Sequence, residues 1–251
     1  LSGADAAKFQ HFKAETIVNK EIFDKQKKTA HQAKWKTSVF DIYKKASINN
    51  KWNKILKNEC KKFNIHFLTS PYDLEYINIV NKFIPAYKIG SGDITWEEAL
   101  IKISEKKKPV ILATGASTMK DVLNASKKIL KINKQLILMQ CNTNYTAEEN
   151  NFKFINLNVL KTFKKIFGNK VILGLSDHTE GHATVLGAIT LGARVIEKHF
   201  TDDNKRKGPD HKFAMNPSSW AEMIKESRRL EFALGNRTKR IEKNEQESFY
   251  V

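Results

Sequence analysis

The sequence predicts an α/β fold, a (β/α)8 TIM barrel that lacks its first βα unit in this chain. Three observations carry that expectation. Seven short runs are apolar and rich in β-branched residues, as strands buried on both faces should be. Segments of helical character separate them, mostly at intervals of roughly 20 to 35 residues, the spacing of repeated βα units. Two neighbouring runs end in histidine: Val171-Ile-Leu-Gly-Leu-Ser-Asp-His178 and Arg194-Val-Ile-Glu-Lys-His199.

The strand runs are Ala6 to Phe12, Ile65 to Ser70, Ala86 to Gly90, Pro109 to Ala113, Leu136 to Gln140, Val171 to Leu175 and Arg194 to Phe200. Between Ser117 and Leu130, the residues Met119, Val122, Leu123 and Ile129 recur near helical spacing, with lysines on the opposite face. Glu180 to Gly192 is long enough for one helix, so the two histidine runs form a βαβ unit. Asn216-Pro217 opens a last helix by the cap-then-proline rule and Gly235 closes it, giving Ser218 to Leu234. Short βα repeats build either an open doubly wound sheet or a barrel, and the number of runs favours the barrel. Leu1-Ser-Gly-Ala-Asp-Ala reads as a helix end and a turn, so a preceding βα unit is expected. Residues 1–235 form the barrel domain, and Asn236 to Val251 reads as a charged linker towards a further domain.

The chain has 251 residues and a formal net charge of +17. That charge invites a nucleic-acid reading, but its distribution opposes one. Lysines are spread over almost every helical segment, as in Lys44-Lys45, Lys106-Lys107-Lys108 and Lys127-Lys128, and arginine appears only from Arg194 onward. No specific nucleic-acid partner is expected. A positive field still favours small phosphorylated substrates. No apolar stretch is long enough to span a bilayer, and the start lacks the order of a secretory signal, so no membrane partner is expected. Cys60 and Cys141 make no disulfide framework, which fits a reducing cytoplasm.

Strand parity sorts the polar residues. Lys8 shares a face with Gln10, Ser176 with His178, and Glu197 with His199, all towards strand C-terminal ends. An unpaired buried polar group costs on the order of 1–3 kcal/mol, so this set points to a ligand. In a parallel sheet these ends share one rim. His178 and His199 are too few for a closed structural zinc site. They suit a catalytic divalent ion with open positions, manganese ahead of magnesium or cobalt. Two buried, hydrogen-bonded histidines are the other reading, and spacing alone leaves both open. Lys88 leads into Ile89-Gly-Ser-Gly-Asp93, where backbone N–H groups and Ser91 have the makings of an anion nest, with Thr114-Gly115 as further donors. Gly208-Pro209-Asp210-His211 follows the last run. Asp210 and Asp93 are the carboxylates read as catalytic, and His211 is read as structural.

These residues resemble the sialic acid synthase family. The resemblance rests on Lys-Phe-Gln (8–10), Pro-Ala-Tyr-Lys-Ile-Gly-Ser-Gly-Asp (85–93), Ser-Asp-His-Thr (176–179), Glu-Lys-His-Phe-Thr (197–201) and Gly-Pro-Asp-His (208–211), in the family's order from about Gly3 to Gly235. It implies condensation of phosphoenolpyruvate with N-acetylmannosamine or a related 2-acetamido hexose, to give a nine-carbon 2-keto-3-deoxy acid and phosphate. A legionaminate or pseudaminate synthase shares that chemistry, and a non-catalytic basic barrel binding polyanions is the rival from another class. The resemblance further implies a homodimer in which a small C-terminal antifreeze-like domain reaches into the partner's site. It places His178 and His199 on the metal. Lys8, Ser70, Lys88, Ser91 and Ser176 fall on phosphoenolpyruvate, and Gln10, Tyr145 and Asp210 on the aminosugar. The chain departs from the family at Cys141-Asn-Thr-Asn-Tyr145-Thr146, where Cys-Thr and then Tyr-Pro are usual, and at Ala113, where Ser is common. The family's Glu and Asn-His segment of the first strand has no counterpart here.

Overall fold

A computed structural model of the chain describes residues 2–17, 19, 21, 38–208 and 210–250. Leu1, Pro209 of the Gly-Pro-Asp-His motif and Val251 lie outside the described residues. Strand β1 is Ala6–His11; α1 (Ala14–Ile17), α2 (Val39–Ala46) and α3 (Trp52–Lys62) lead to β2, His66–Pro71. Then follow α4 (Leu74–Val80), β3 (Tyr87–Ile89), α5 (Glu97–Glu105), β4 (Val110–Ala113), α6 (Met119–Ile132) and β5 (Leu136–Cys141). The chain continues through α7 (Val159–Phe167), β6 (Val171–Asp177), α8 (Ala183–Thr190), β7 (Val195–Lys198) and α9 (Pro217–Ala233).

Each expected strand run forms a strand, and among the described residues the seven make one parallel sheet in sequence order. The ladder tells only neighbours; side chains show that the sheet curls. In a flat sheet β1 and β7 would lie about 29 Å apart. Instead Lys8 Nζ of β1 stands 3.2 Å from Glu197 Oε1 of β7, and Lys88 Nζ of β3 stands 3.6 Å from Glu197 Oε2. The barrel is open between β7 and β1, where no ladder joins the described residues.

Strand parity then builds two cores. Outward residues such as Leu112, Leu138, Leu173 and Leu175 meet Ile77, Leu100, Ile103, Ile129 and Phe163 of the helices. Inward residues Ile111, Ile137 and Met139, with Leu68 and Val195, fill the barrel below the polar layer. Gly174 makes room for them: a Cβ there would lie 2.7 Å from the Val195 carbonyl oxygen and 3.0 Å from Met139 Cγ. Asn216 accepts from the N–H groups of Ser218 and Ser219, so α9 starts where its cap requires. Strand β7 stops at Lys198, two residues before the expected end, because the chain there turns to bridge Phe200 with Met215.

The spread lysines have a second use besides solvation. Lys108 Nζ donates to Ile84 O (2.8 Å) and to Asn81 O, Lys57 Nζ to Lys82 O (3.3 Å), Lys107 Nζ to Ile132 O (2.6 Å) and Lys134 Nζ to Leu130 O (2.6 Å). These carbonyls lie at or just beyond helix C-terminal ends, which carry orphan acceptors and negative partial charge. These four lysines are therefore engaged by the fold itself.

Candidate active site

The C-terminal strand ends open onto a cavity of about 390 Å³. The inward faces of β1, β3 and β6 bring Lys8, Gln10, Lys88 and Ser176 to its wall, the segments just after β3, β5, β6 and β7 bring Ser91, Tyr145, His178 and His199, and the last loop adds Asp210. Ser70 and Asp93 are not brought there. Ser70 is buried with its hydroxyl beside Tyr72, and Asp93 turns towards Tyr72 and Lys88 behind Gly90. Burial pushes the Asp93 carboxyl up to about 6, against the pull of Lys88.

The floor is a charge triad, with Glu197 between two ammonium groups. Burial alone would raise the Glu197 carboxyl, but Lys8 and Lys88 outweigh it and hold it at about 2. Lys88 is 3% exposed; burial lowers its affinity for the proton while Glu197 raises it. Two cations against one carboxylate leave the floor positive, suited to an anion. The glycine turn differs from the expected nest. Ser91–Asp93 forms one turn of 3-10 helix, and the Gly115 N–H donates to Ser91 Oγ (2.9 Å) rather than into the cavity. Gly115 has no room for a side chain, since a Cβ would stand 2.5 Å from Thr143 Cγ2 and 2.9 Å from Ser91 Oγ. Gly115→Ala is expected to lower stability by about 1–3 kcal/mol through overpacking. Urea unfolding checks this, and an unchanged midpoint refutes it.

The two imidazoles lie 5.1 Å apart, centroid to centroid, with Phe213 and Tyr145 packed against both. Their tautomers follow from their partners. His178 Nδ1 is 2.6 Å from Asn142 O, which can only accept, so Nδ1 carries the hydrogen. His199 Nδ1 is 3.3 Å from Asp210 Oδ2, with the same consequence. Both Nε2 lone pairs are thereby left for a ligand, the arrangement of metal-bound imidazoles. Burial and then His199 push His178 down to about 4, so it is neutral near pH 7. Among the described residues no group of three or more His, Cys, Asp or Glu side chains could hold a metal ion, so a divalent ion on these two nitrogens would keep open positions. His211 faces elsewhere, its Nδ1 2.7 Å from Thr201 Oγ1.

A pH dependence follows for the metal-free protein. A histidine whose folded value lies below its unfolded 6.5 stabilises the fold above 6.5 and loses that contribution as pH falls through about 4. Asp93, raised from 3.8 to about 6, acts with the opposite sign in an overlapping window. His178→Asn should therefore flatten the fall in unfolding temperature between pH 6.5 and 4. An unchanged profile would contradict the buried neutral imidazole.

Several wall residues escaped the sequence reading. Glu197 was visible by parity with His199, yet only the curl of the sheet shows that it binds both lysines. Cys141 shares an inward face with Met139; burial raises its thiol against hydrogen bonds from Ser91 and Ser176, leaving it neutral. Phe12, Tyr72 and the α2 residues Ile42, Tyr43 and Ala46 complete an apolar side, and Phe12 packs on Tyr43 at 5.2 Å. Helix α2 bears no chemical motif, so no sequence signal marked it.

Comparisons with known proteins give the chain's family. An uncharacterized protein of Methanocaldococcus jannaschii is 36% identical over 237 residues, 93% of this chain and 64% of that protein. The chain thus spans less than two thirds of that relative's length. The N,N'-diacetyllegionaminic acid synthase of Campylobacter jejuni is 35% identical over 257 residues, covering 100% of this chain and 74% of the synthase. The crystal structure of N-acetylneuraminic acid (sialic acid) synthetase from Leptospira borgpetersenii superposes with a TM-score of 0.83 at 28% identity, over 99% of this chain and 81% of that one. The NeuB family model matches residues 1–239, and the chain belongs to the NeuB family.

Proposed function

We propose that the whole protein condenses phosphoenolpyruvate with a 2-acetamido hexose, N-acetylmannosamine or a relative, giving a nine-carbon 2-keto-3-deoxy sugar acid and phosphate. One observation carries the reading: a positive floor and a pair of free imidazole nitrogens open into the same cavity. Lys8, Lys88, Ser91 and Ser176 hold the phosphate and carboxylate of the enol phosphate, and Glu197 keeps both lysines aimed at that spot. His178 and His199 hold a divalent ion, manganese ahead of magnesium or cobalt, which when bound supplies Lewis acidity at the open-chain aldehyde. Gln10, Tyr145 and Asp210 orient the sugar, so two solutes become a positioned pair. Carbon 3 of phosphoenolpyruvate then bonds to the aldehyde carbon as the C2–C3 and carbonyl π bonds open, and the aldehyde oxygen takes up a proton. Water adds at carbon 2, its two protons replacing that one and leaving with the phosphate, whose C–O bond to carbon 2 breaks to leave the ketone.

A diacetamido hexose of the legionaminate or pseudaminate type is a second acceptor, supported by the likeness to the Campylobacter enzyme. The polyanion-binding reading is weaker, because the lysines are spread over almost every helix and Lys107, Lys108 and Lys134 already bind carbonyls at or just beyond helix ends. Among the described residues no helix is long and apolar enough to cross a membrane. The same reading, carried by the family resemblance, makes the enzyme a cytoplasmic homodimer. The test is to incubate the full-length protein with phosphoenolpyruvate, Mn2+ and each sugar, measuring phosphate release and product mass. The sugar that yields product names the acceptor. No phosphate release with any sugar rejects the enzyme reading.

A further inference from the structure

Behind the two histidines, on the outward side of the same strand ends, lies a buried ion pair that the proposed chemistry does not use. Asp177 and Lys198 have side chains 0% and 1% exposed, and Lys198 Nζ stands 2.5 Å from Asp177 Oδ2. They are register partners in the last rung of the β6–β7 ladder, and each immediately precedes one of the histidines. Lys198 Nζ also donates to the carbonyl of Thr179 at 2.6 Å, one residue beyond His178. Asp177 Oδ2 accepts from Thr179 Oγ1 (2.8 Å) and from Thr184 Oγ1 of α8 (2.7 Å). The Thr179 N–H donates to Asp177 Oδ1 at 3.2 Å.

Stability does not explain such a pair. Moving two charges out of water costs several kcal/mol per ion, and well-packed apolar residues of similar volume often serve a fold as well or better. What a saturated ionic cluster supplies is a single geometry. Here it acts where the sheet stops acting. The β6–β7 ladder ends at Asp177 and Lys198, so no rung of it reaches His178 or His199; beyond it His199 keeps one backbone tie, the Met215 N–H donating to its carbonyl at 2.8 Å. The bond from Lys198 to Thr179 O spans His178, tying the segment on both sides of it to the residue before His199.

We propose that Asp177 and Lys198 are positioning residues, a clamp that sets the separation and aim of the two imidazoles. The clamp rests on the reading of those imidazoles as metal donors. It acts from behind, without touching substrate, and Thr184 links it to the helix between the two strands.

The decisive variant replaces the pair by apolar residues, Asp177→Leu with Lys198→Met, in the full-length protein. Three quantities are measured: the urea unfolding midpoint, Mn2+ affinity by electron paramagnetic resonance titration without substrate, and the imidazole nitrogen signals by NMR without metal. The clamp predicts an unfolding midpoint equal to or above that of the parent, Mn2+ binding weakened about 10- to 100-fold, and histidine signals broadened or shifted from the Nδ1–H tautomer. Thr184→Val is the milder probe, removing one bond to Asp177 and neither charge. It decides the matter should the double variant fail to fold, and binding several-fold weaker is expected. Parent-like Mn2+ affinity in Thr184→Val and in any folded double variant overturns the clamp. His178→Ala separates the two readings: unchanged affinity there removes the metal site itself, and affinity lost there but kept in the clamp variants removes only the clamp.

Discussion

His178→Ala and His199→Ala are each expected to abolish metal-dependent turnover, by at least about 10³-fold, while the chain stays folded. An electrostatic stabiliser aimed at developing charge is typically worth about 10²–10³ in rate, and under the proposed reading either variant would lose the Lewis acid that supplies it. Among the described residues no group of three or more His, Cys, Asp or Glu side chains could hold a metal ion, so under the proposed reading neither variant has a spare donor. The structural effects are smaller and differ between the two. His178 is 6% exposed, and its removal leaves Asn142 O without its donor, at about 1–3 kcal/mol. His199 is a quarter exposed, so water can replace it beside Asp210. Steady-state kinetics across a Mn2+ series, with urea unfolding in parallel, provide the check. Parent-like turnover in both variants would remove the metal site from the reaction.

Lys88→Ala should raise the phosphoenolpyruvate concentration needed for half-maximal rate by about 10- to 100-fold, with little change for the sugar. A hydrogen bond to a charged group contributes roughly 1.5–3 kcal/mol, and Lys88, 3% exposed, lines the cavity floor. Equal effects on both substrates would contradict its place on the anion floor. The variant also leaves Glu197 with Lys8 alone, which changes acid stability. A carboxylate held at about 2 stabilises the fold above its unfolded 4.5, and that contribution is lost as pH falls through about 2. With one partner fewer the carboxyl rises towards its ordinary value, and the loss on acidification becomes smaller. Unfolding midpoints of parent and variant between pH 5 and 2 read this directly.

Local pattern carried most of the barrel. Leu136–Cys141 and Val110–Ala113 are buried throughout, as a parallel strand covered on both sides must be, so an unbroken apolar run identifies them. Parity was equally legible: Lys8 with Gln10, and Ser176 with His178, face inward together because side chains alternate along any strand. Turns were less so. Asp93 and Ser91 are two residues apart, yet one turn of 3-10 helix puts Ser91 on the cavity and Asp93 behind it, and alternation says nothing about a turn. Ser70 has the inward parity of a wall residue but sits beneath Tyr72 from the segment that follows.

By itself, then, the sequence determined the repeated βα architecture, the inward faces of its strands and the pairing of two histidines at one rim, because each depends on periodicities of two and 3.6 residues that act over a single element. Only the tertiary structure decided who meets whom. Glu197 reaches Lys8 because the sheet curls through seven strands, Tyr43 lines the cavity because α2 crosses the end of β1, and Asp177 closes on both Lys198 and Thr184 because strand and helix pack. Except for Asp177 with Thr184, those contacts join residues far apart in the chain, and burial in a shared core, rather than any local preference, brings them within reach.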